Sequence, residues 1–222
     1  MELEYLTKAE LTTYLDSPLA VKGVVVAVPF TQAAAAQQAM QLMASRASAK
    51  APKAPAAPLE GLIVGVHDSE GDGFIHLTNL IFRATKSPWF VYSAQDVMAG
   101  RDWLSLALSA MGSAHELLGF NDGKWAGALA SFGLVRRSWA QKNYSGDLFY
   151  SKYAQHYADC ELTLLAMQEQ VYAYEPNSVL MEVDWDKDRM STNPVDRALF
   201  LARRAQGFDG RVIHAALLNL YS

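Results

Sequence analysis

Short, almost uninterrupted apolar runs alternate along the chain with longer segments of helical character. The strongest runs are residues 22–30 (KGVVVAVPF), 62–66 (LIVGV) and 89–92 (WFVY). Runs of this length, rich in β-branched or aromatic residues and without polar alternation, suit strands buried on both faces of a parallel sheet. The segments between them read as helices: QAAAAQQAMQLMASRAS after the first run, HLTNLIFRATKS after the second. Alanine and glutamine favour helix in the former, and Thr31 stands where an N-cap residue is expected. Pro29 is expected to end the first strand, because proline cannot donate to a sheet ladder. Strand, helix, strand, helix, strand predicts a parallel sheet with right-handed crossovers.

Residues 8–16 read as a short amphipathic helix, and residues 101–118, 159–170 and 194–206 as further helices. The glycine- and aromatic-rich stretch 120–141 is expected to include another strand, with late strands at 170–174 and 178–183. Alternating alanine and proline in SAKAPKAPAAP cannot form a regular helix and bury little, so residues 46–58 are expected to be a flexible surface loop. There is no internal repeat. The expected fold class is α/β, a mostly parallel central sheet with flanking helices, in one domain spanning 1–222.

Bulk properties narrow the picture modestly. Of 222 residues, 51% are hydrophobic and 19% charged, enough for a sizeable core and against global disorder. A formal net charge of −4 argues against a chain that wraps a nucleic-acid backbone. The single cysteine, Cys160, excludes an internal disulfide and fits a reducing compartment. The N-terminus MELEYLTKAEL lacks the cationic start and apolar core of a signal peptide. No stretch approaches the roughly 18 consecutive apolar residues of a membrane span, so a cytoplasmic protein is expected.

The chemistry enters where the apolar runs meet acid. In open α/β sheets ligands sit beyond the carboxyl ends of the strands. The second run leads into His67-Asp68 and the third into Ser93-Ala94-Gln95-Asp96. An aspartate-lined crevice for a metal and a nucleotide is therefore expected. Other site chemistries lack their motifs: there is no Gly-x-Ser-x-Gly, no Gly-Lys-Ser/Thr phosphate loop and no Gly-x-Gly-x-x-Gly. The turn DSEGDG lacks the twelve-residue pattern of a calcium loop.

The order of these pieces resembles the nucleotide-sugar glycosyltransferases of the A-type fold, particularly the family 2-like enzymes. The resemblance covers about residues 20–210 and rests on several short signals in sequence order. Val28-Pro29-Phe30-Thr31 resembles the turn that meets the nucleotide. His67-Asp68-Ser69 resembles the strand end whose acid contacts base or ribose. Ser93-Ala94-Gln95-Asp96-Val97 occupies the position of the Asp-x-Asp motif. SGDLFYSKYAQHYADCEL resembles the acceptor-side segment that carries a catalytic base. MEVDWDKD falls where many members place a metal-binding histidine, and VDRALFLARRAQGFDGRV resembles their C-terminal pattern.

The resemblance implies transfer of a sugar from a nucleoside-diphosphate sugar, by inversion, with Mn2+ or Mg2+ stabilising the departing diphosphate. It assigns Pro29, Phe30, Thr31, Asp68, Gln95 and Asp96 to the donor, and Asp96 with Asp184 to the metal. Asp159 is the expected base, with Glu161 as alternative, and a helix start at Asp159 would keep it ionised through the dipole. Gln95 departs from the family, which often has a second acid there, and an amide is the poorer metal ligand. The plain alternatives are that Asp96 caps a helix, Asp68 is a turn residue, and Asp159 and Glu161 are first-turn acids. Trp125, Trp139 and Tyr144 are candidates for an acceptor platform or for the core. Arg136 and Arg137 are candidate phosphate contacts or a surface pair. His156 is a candidate phosphate or acceptor contact, though a lone histidine beside tyrosines is more often packed or at the surface. The acceptor could be a glycan, a lipid carrier, a protein or a nucleic acid. Two other functions compete. One is a nucleotidyltransferase, disfavoured because PFTQAAAA replaces a glycine-rich basic loop; the other is a non-catalytic binding or assembly protein that keeps the fold.

Overall fold

Each of the three apolar runs forms a strand, and the three lie side by side. The computed structural model describes residues 1–48, 59–183 and 192–221. Its strands are β1 (Glu2–Leu6), β2 (Leu19–Ala20), β3 (Val24–Phe30), β4 (Gly61–His67), β5 (Thr85–Lys86), β6 (Trp89–Tyr92), β7 (Val97–Ala99), β8 (Leu117–Asn121), β9 (Gly133–Arg136) and β10 (Tyr172–Glu182). The helices are α1 (Lys8–Thr13), α2 (Ala33–Arg46), α3 (Phe74–Ala84), α4 (Trp103–Met111), α5 (Arg137–Ala140), α6 (Ala158–Gln168), α7 (Pro194–Ala205), α8 (Gly207–Gly210) and α9 (Ala215–Leu218).

Eight strands form one sheet in the order β1-β4-β3-β6-β9-β8-β10-β7, and β2 pairs with β5 apart from it. β3 pairs in parallel with β4 from Val24↔Gly61 to Phe30↔His67, and with β6 from Val24↔Trp89 to Ala27↔Tyr92. β1 and β10 add parallel partners to β4 and β8. Only β9 and β7 run against the rest, so the sheet is mostly parallel, as expected.

All seven residues of β3 are buried, and alternation sends them to two cores. Val24, Val26 and Val28 face α2 and α4 with Ile63, Val91 and Phe120. Val25 and Ala27 face α3 and α6 with Leu62, Phe90 and Tyr92. Helices on both faces explain why these strands carry no polar alternation.

Several boundaries differ from the sequence reading. β3 continues through Pro29, which pairs with Val66. Ala27 faces β6, since its carbonyl accepts the Ser93 amide (3.1 Å), and by alternation Pro29 faces the same side beyond the last β3–β6 pair. Its missing N–H therefore removes no ladder bond. The helix expected over 101–118 stops at Met111, followed by Gly112 at φ 48, where β-carbon-free backbone is favoured, and β8 follows. The two late strands are one, β10, with a register shift between Tyr174 and Val179. The proline-rich stretch, from residue 49 to 58, lies outside the described residues. Among the described residues no helix is long and apolar enough to cross a membrane.

Candidate functional site

The carboxyl ends of β3, β4 and β6 bring together the residues singled out for the donor. Phe30 ends β3, and its ring stacks on His67 at the end of β4, with centroids 5.3 Å apart and planes at 21°. The Asp68 amide donates to the Phe30 carbonyl (2.7 Å) and ties the two ends together. The Asp68 carboxylate accepts from the amides of Asp72 (2.8 Å) and Gly73 (3.0 Å), closing the turn into α3. That bonding is turn chemistry, and it also fixes the half-buried carboxylate just beyond the end of β4.

Gln95 crosses from the end of β6 to the start of α2. Its Oε1 accepts from the Thr31 and Gln32 amides, both at 2.8 Å, and its Nε2 donates to the Thr31 hydroxyl (3.3 Å). Thr31 is therefore not the N-cap expected from its position. Gln32 occupies that place without a side-chain cap, and the Gln95 side-chain amide satisfies the N–H groups of Thr31 and of the cap residue itself, just ahead of the first turn. Gln95→Ala is expected to cost about 1–2 kcal/mol in urea denaturation, the range of a lost cap with unsatisfied donors. Gln95→Glu should retain the stability, since it keeps the acceptor and adds charge favoured at a helix start. An alanine variant as stable as wild type would refute the capping role.

Asp96 follows directly, and its carbonyl accepts the Val183 amide (3.0 Å), which joins this strand end to β10. No group of three or more His, Cys, Asp or Glu side chains is gathered as a metal cage among the described residues. Asp184 lies outside them. One carboxylate still fits a hard divalent cation of the Mg2+ type, which is commonly held by one or two carboxylates, substrate phosphates and water.

The base candidates separate sharply. Asp159 lies half-buried in the first turn of α6. Burial raises its carboxyl to about 6; the Cys160 amide (2.9 Å) opposes the rise, and the nearby Asp122 carboxylate adds to it. Desolvation thus outweighs the helix dipole that was expected to keep Asp159 ionised. Burial first, and the Asp159 charge second, push the Tyr92 hydroxyl well above its ordinary value. Tyr92 stays protonated and donates to the Ala130 carbonyl (2.7 Å). Gly133 makes room for that ring, since a β-carbon there would meet the Tyr92 hydroxyl at 2.4 Å. Tyr92 is the last residue of β6, and its side chain carries its hydroxyl into the range of the Asp159 charge.

Glu161 is fully buried and turned into the core. Its two oxygens accept from Tyr144 (2.8 Å), Tyr153 (2.9 Å) and both Nε (2.8 Å) and Nη2 (2.7 Å) of Arg203. With its oxygens so engaged, Glu161 has a structural part. Tyr144 and Trp139 also belong to the core, Trp139 donating to Glu169 (2.7 Å). Trp125, 44% exposed, is the member of the proposed platform that faces solvent. Arg136 ends β9 and Arg137 begins α5 at the opposite end of the sheet, level with Trp89 at the start of β6. His156 is exposed, and its ring accepts the Asn193 amide (3.3 Å).

Three site-building residues escaped the sequence reading. Asp122, 2% exposed beyond β8, accepts from the amides of Lys124 (2.8 Å) and Trp125 (2.9 Å) and from the Ser131 hydroxyl. It shapes the loop that carries Trp125. Its signal was present: LLGFND is one more apolar run leading into acid. Asp196 of α7, 1% exposed, accepts from the amides of Ala154, Gln155 and His156 at 2.8–2.9 Å. Arg203, on the same helix, grips Glu161. α7 thereby holds both the loop before α6 and α6 itself, and so positions Asp159.

The arrangement defines a class by fold: the chain has the A-type fold of nucleotide-sugar glycosyltransferases. A mannosyltransferase from Pyrobaculum calidifontis, solved in complex with GDP-Man and Mn2+, aligns over 90% of this chain and 75% of its own, at 14% identity and TM-score 0.51. Glucosyl-3-phosphoglycerate synthase from Mycobacterium tuberculosis, solved with Mn2+, UDP and glucosyl-3-phosphoglycerate, aligns over 97% and 89%, at 10% identity and TM-score 0.49. At such identities the likeness is one of fold. No protein-family model and no curated protein matches the sequence.

Proposed function

We propose that the protein is a glycosyltransferase that moves a sugar from a nucleoside-diphosphate sugar to an acceptor hydroxyl, with inversion. The observation that carries this reading is the A-type fold together with the strand ends that gather Phe30, Thr31, Asp68 and Gln95, next to Asp96, at one end of the sheet. The turn of Pro29, Phe30 and Thr31 lies against the nucleotide, and Asp68 accepts hydrogen bonds from its base or ribose. Asp159 takes the acceptor proton as the hydroxyl oxygen attacks the anomeric carbon from the face opposite the departing diphosphate. Asp96 contributes the carboxylate for Mn2+ or Mg2+, which supplies charge stabilisation for the diphosphate. The reading puts the protein in the cytoplasm, where a free, buried Cys160 meets no oxidising partner.

The test is thermal stability with nucleoside diphosphates and their sugars, each with Mn2+, Mg2+ or chelator. A bound donor at about a hundredfold over its dissociation constant stabilises by about 2.7 kcal/mol. A metal-dependent shift for one nucleotide, lost in Asp96→Ala, is the expected result. A flat panel on folded protein would sink donor use and favour a binding protein that keeps the fold, a reading to which the engagement of Gln95 by its own backbone lends weight.

A further inference from the structure

At the opposite end of the sheet from the crevice, a groove of about 1180 Å3 opens beside β2, β5 and the start of β6. Lys22, Arg83, Lys86, Arg136 and Arg137 line it, and among the described residues no Asp or Glu does, in a chain of formal net charge −4. Two of these cations are balanced within the protein. Arg83 pairs with Asp147 (2.6 Å), and Arg136 pairs with Glu116 (2.9 Å) while lying over the Trp89 ring. Lys22 and Lys86 are exposed and form no ion pair among the described residues.

Arg137 is the unusual one. Only 9% exposed, it donates to the carbonyls of Phe82 (2.6 Å) and Ser87 (2.8 Å) and to the hydroxyls of Thr85 (3.2 Å) and Ser87 (3.3 Å). Its guanidinium lies over the rings of Phe82 and Phe90, at 4.2 and 5.3 Å. Every partner is neutral. Burial accordingly lowers its pKa to about 10, the mark of a desolvated cation without a counter-ion. Hydrogen bonds fix its geometry and leave its charge uncompensated just beneath the groove.

We propose that this groove is a second ligand site, taking a phosphate-bearing molecule against Lys22, Lys86 and Arg137. Three unbalanced cations match a multiply charged phosphate better than a single carboxylate. Leu15, Pro18 and Phe82 supply an apolar wall for the body attached to that phosphate. The parallel pairing of β2 with β5, and the Val21 amide donating to the Lys86 carbonyl (2.8 Å), hold Lys22 and Lys86 on one rim. The site is independent of the donor crevice and does not rest on the proposed activity.

Calorimetric titration with sodium pyrophosphate, in chelator so that no divalent cation serves the donor site, tests it on wild type and the double variant Lys22→Glu/Lys86→Glu. Wild type is expected to bind, and the double variant to lose about tenfold or more in affinity. Lys22→Gln/Lys86→Gln gives the same readout should charge reversal disturb folding. Sedimentation with phosphatidylcholine vesicles, with and without phosphatidylglycerol, forms a second arm. Binding only to the anionic vesicles, lost in the double variant, assigns the phosphate to a lipid headgroup; binding of pyrophosphate assigns it to a free ligand. No binding in either arm, or binding unchanged in both double variants, would overturn the proposal.

Discussion

Arg203→Ala is expected to destabilise the protein by about 3–5 kcal/mol, the usual cost of stripping one partner from a buried ion pair. Glu161 is 0% exposed, and Arg203 reaches both of its oxygens, at 2.8 and 2.7 Å. Without Arg203 the carboxylate keeps the hydroxyls of Tyr144 and Tyr153 but no cation to offset its charge. Arg203 also bonds Asp209 (3.0 Å) and stacks over Tyr150 at 3.6 Å, so packing is lost with the charge. Replacing both partners by apolar residues, as in Glu161→Leu/Arg203→Met, should recover much of the loss, because no buried charge then remains. Chemical denaturation of both variants measures this. A single variant within about 1 kcal/mol of wild type would show that α7 does not anchor α6 through this pair.

Asp159→Asn is expected to lower turnover by about 10²–10⁴, the contribution typical of a positioned general base, with donor binding unchanged. The pH dependence follows from the carboxyl raised to about 6. Wild-type turnover should fall as pH drops through about 6, because the protonated acid cannot accept the acceptor proton, and the variant should lose that limb. Stability should move the other way. A carboxyl raised in the folded state favours the proton-bound native form, so its contribution is full below the unfolded value near 3.8 and is lost as pH rises through about 6. Asp159→Asn should therefore be no less stable than wild type at pH 7, which separates lost chemistry from lost folding. A variant with unchanged turnover would remove Asp159 from the reaction.

The core strands and the acids at their ends were legible because both depend on local pattern. A strand buried on both faces admits few polar residues, and its end is marked by the first cluster that needs water or a partner. The same rule applied to LLGFND would have found Asp122. Other assignments failed for a physical reason. Thr31 has the right residue type for a cap, but it lies one residue ahead of the cap, Gln32, and its hydroxyl accepts from Gln95. Glu161 and Asp159 lie two residues apart in one helix turn. One is turned into the core against Arg203, the other lies half-buried near Asp122, and composition does not distinguish them.

What the sequence determined by itself is the α/β class, the three central strands and the end of the sheet where Asp68 and Asp96 emerge. Uninterrupted apolar runs have few other stable uses. Tertiary structure alone decided which buried polar groups answer one another: Gln95 with Thr31 across 64 residues, Arg203 with Glu161 and Asp196 with Ala154 each across 42. It also decided that Arg137 lies buried without a carboxylate. Such pairings leave no period in the chain, because they are fixed by chain topology and by the cost of leaving a buried polar group without its partner.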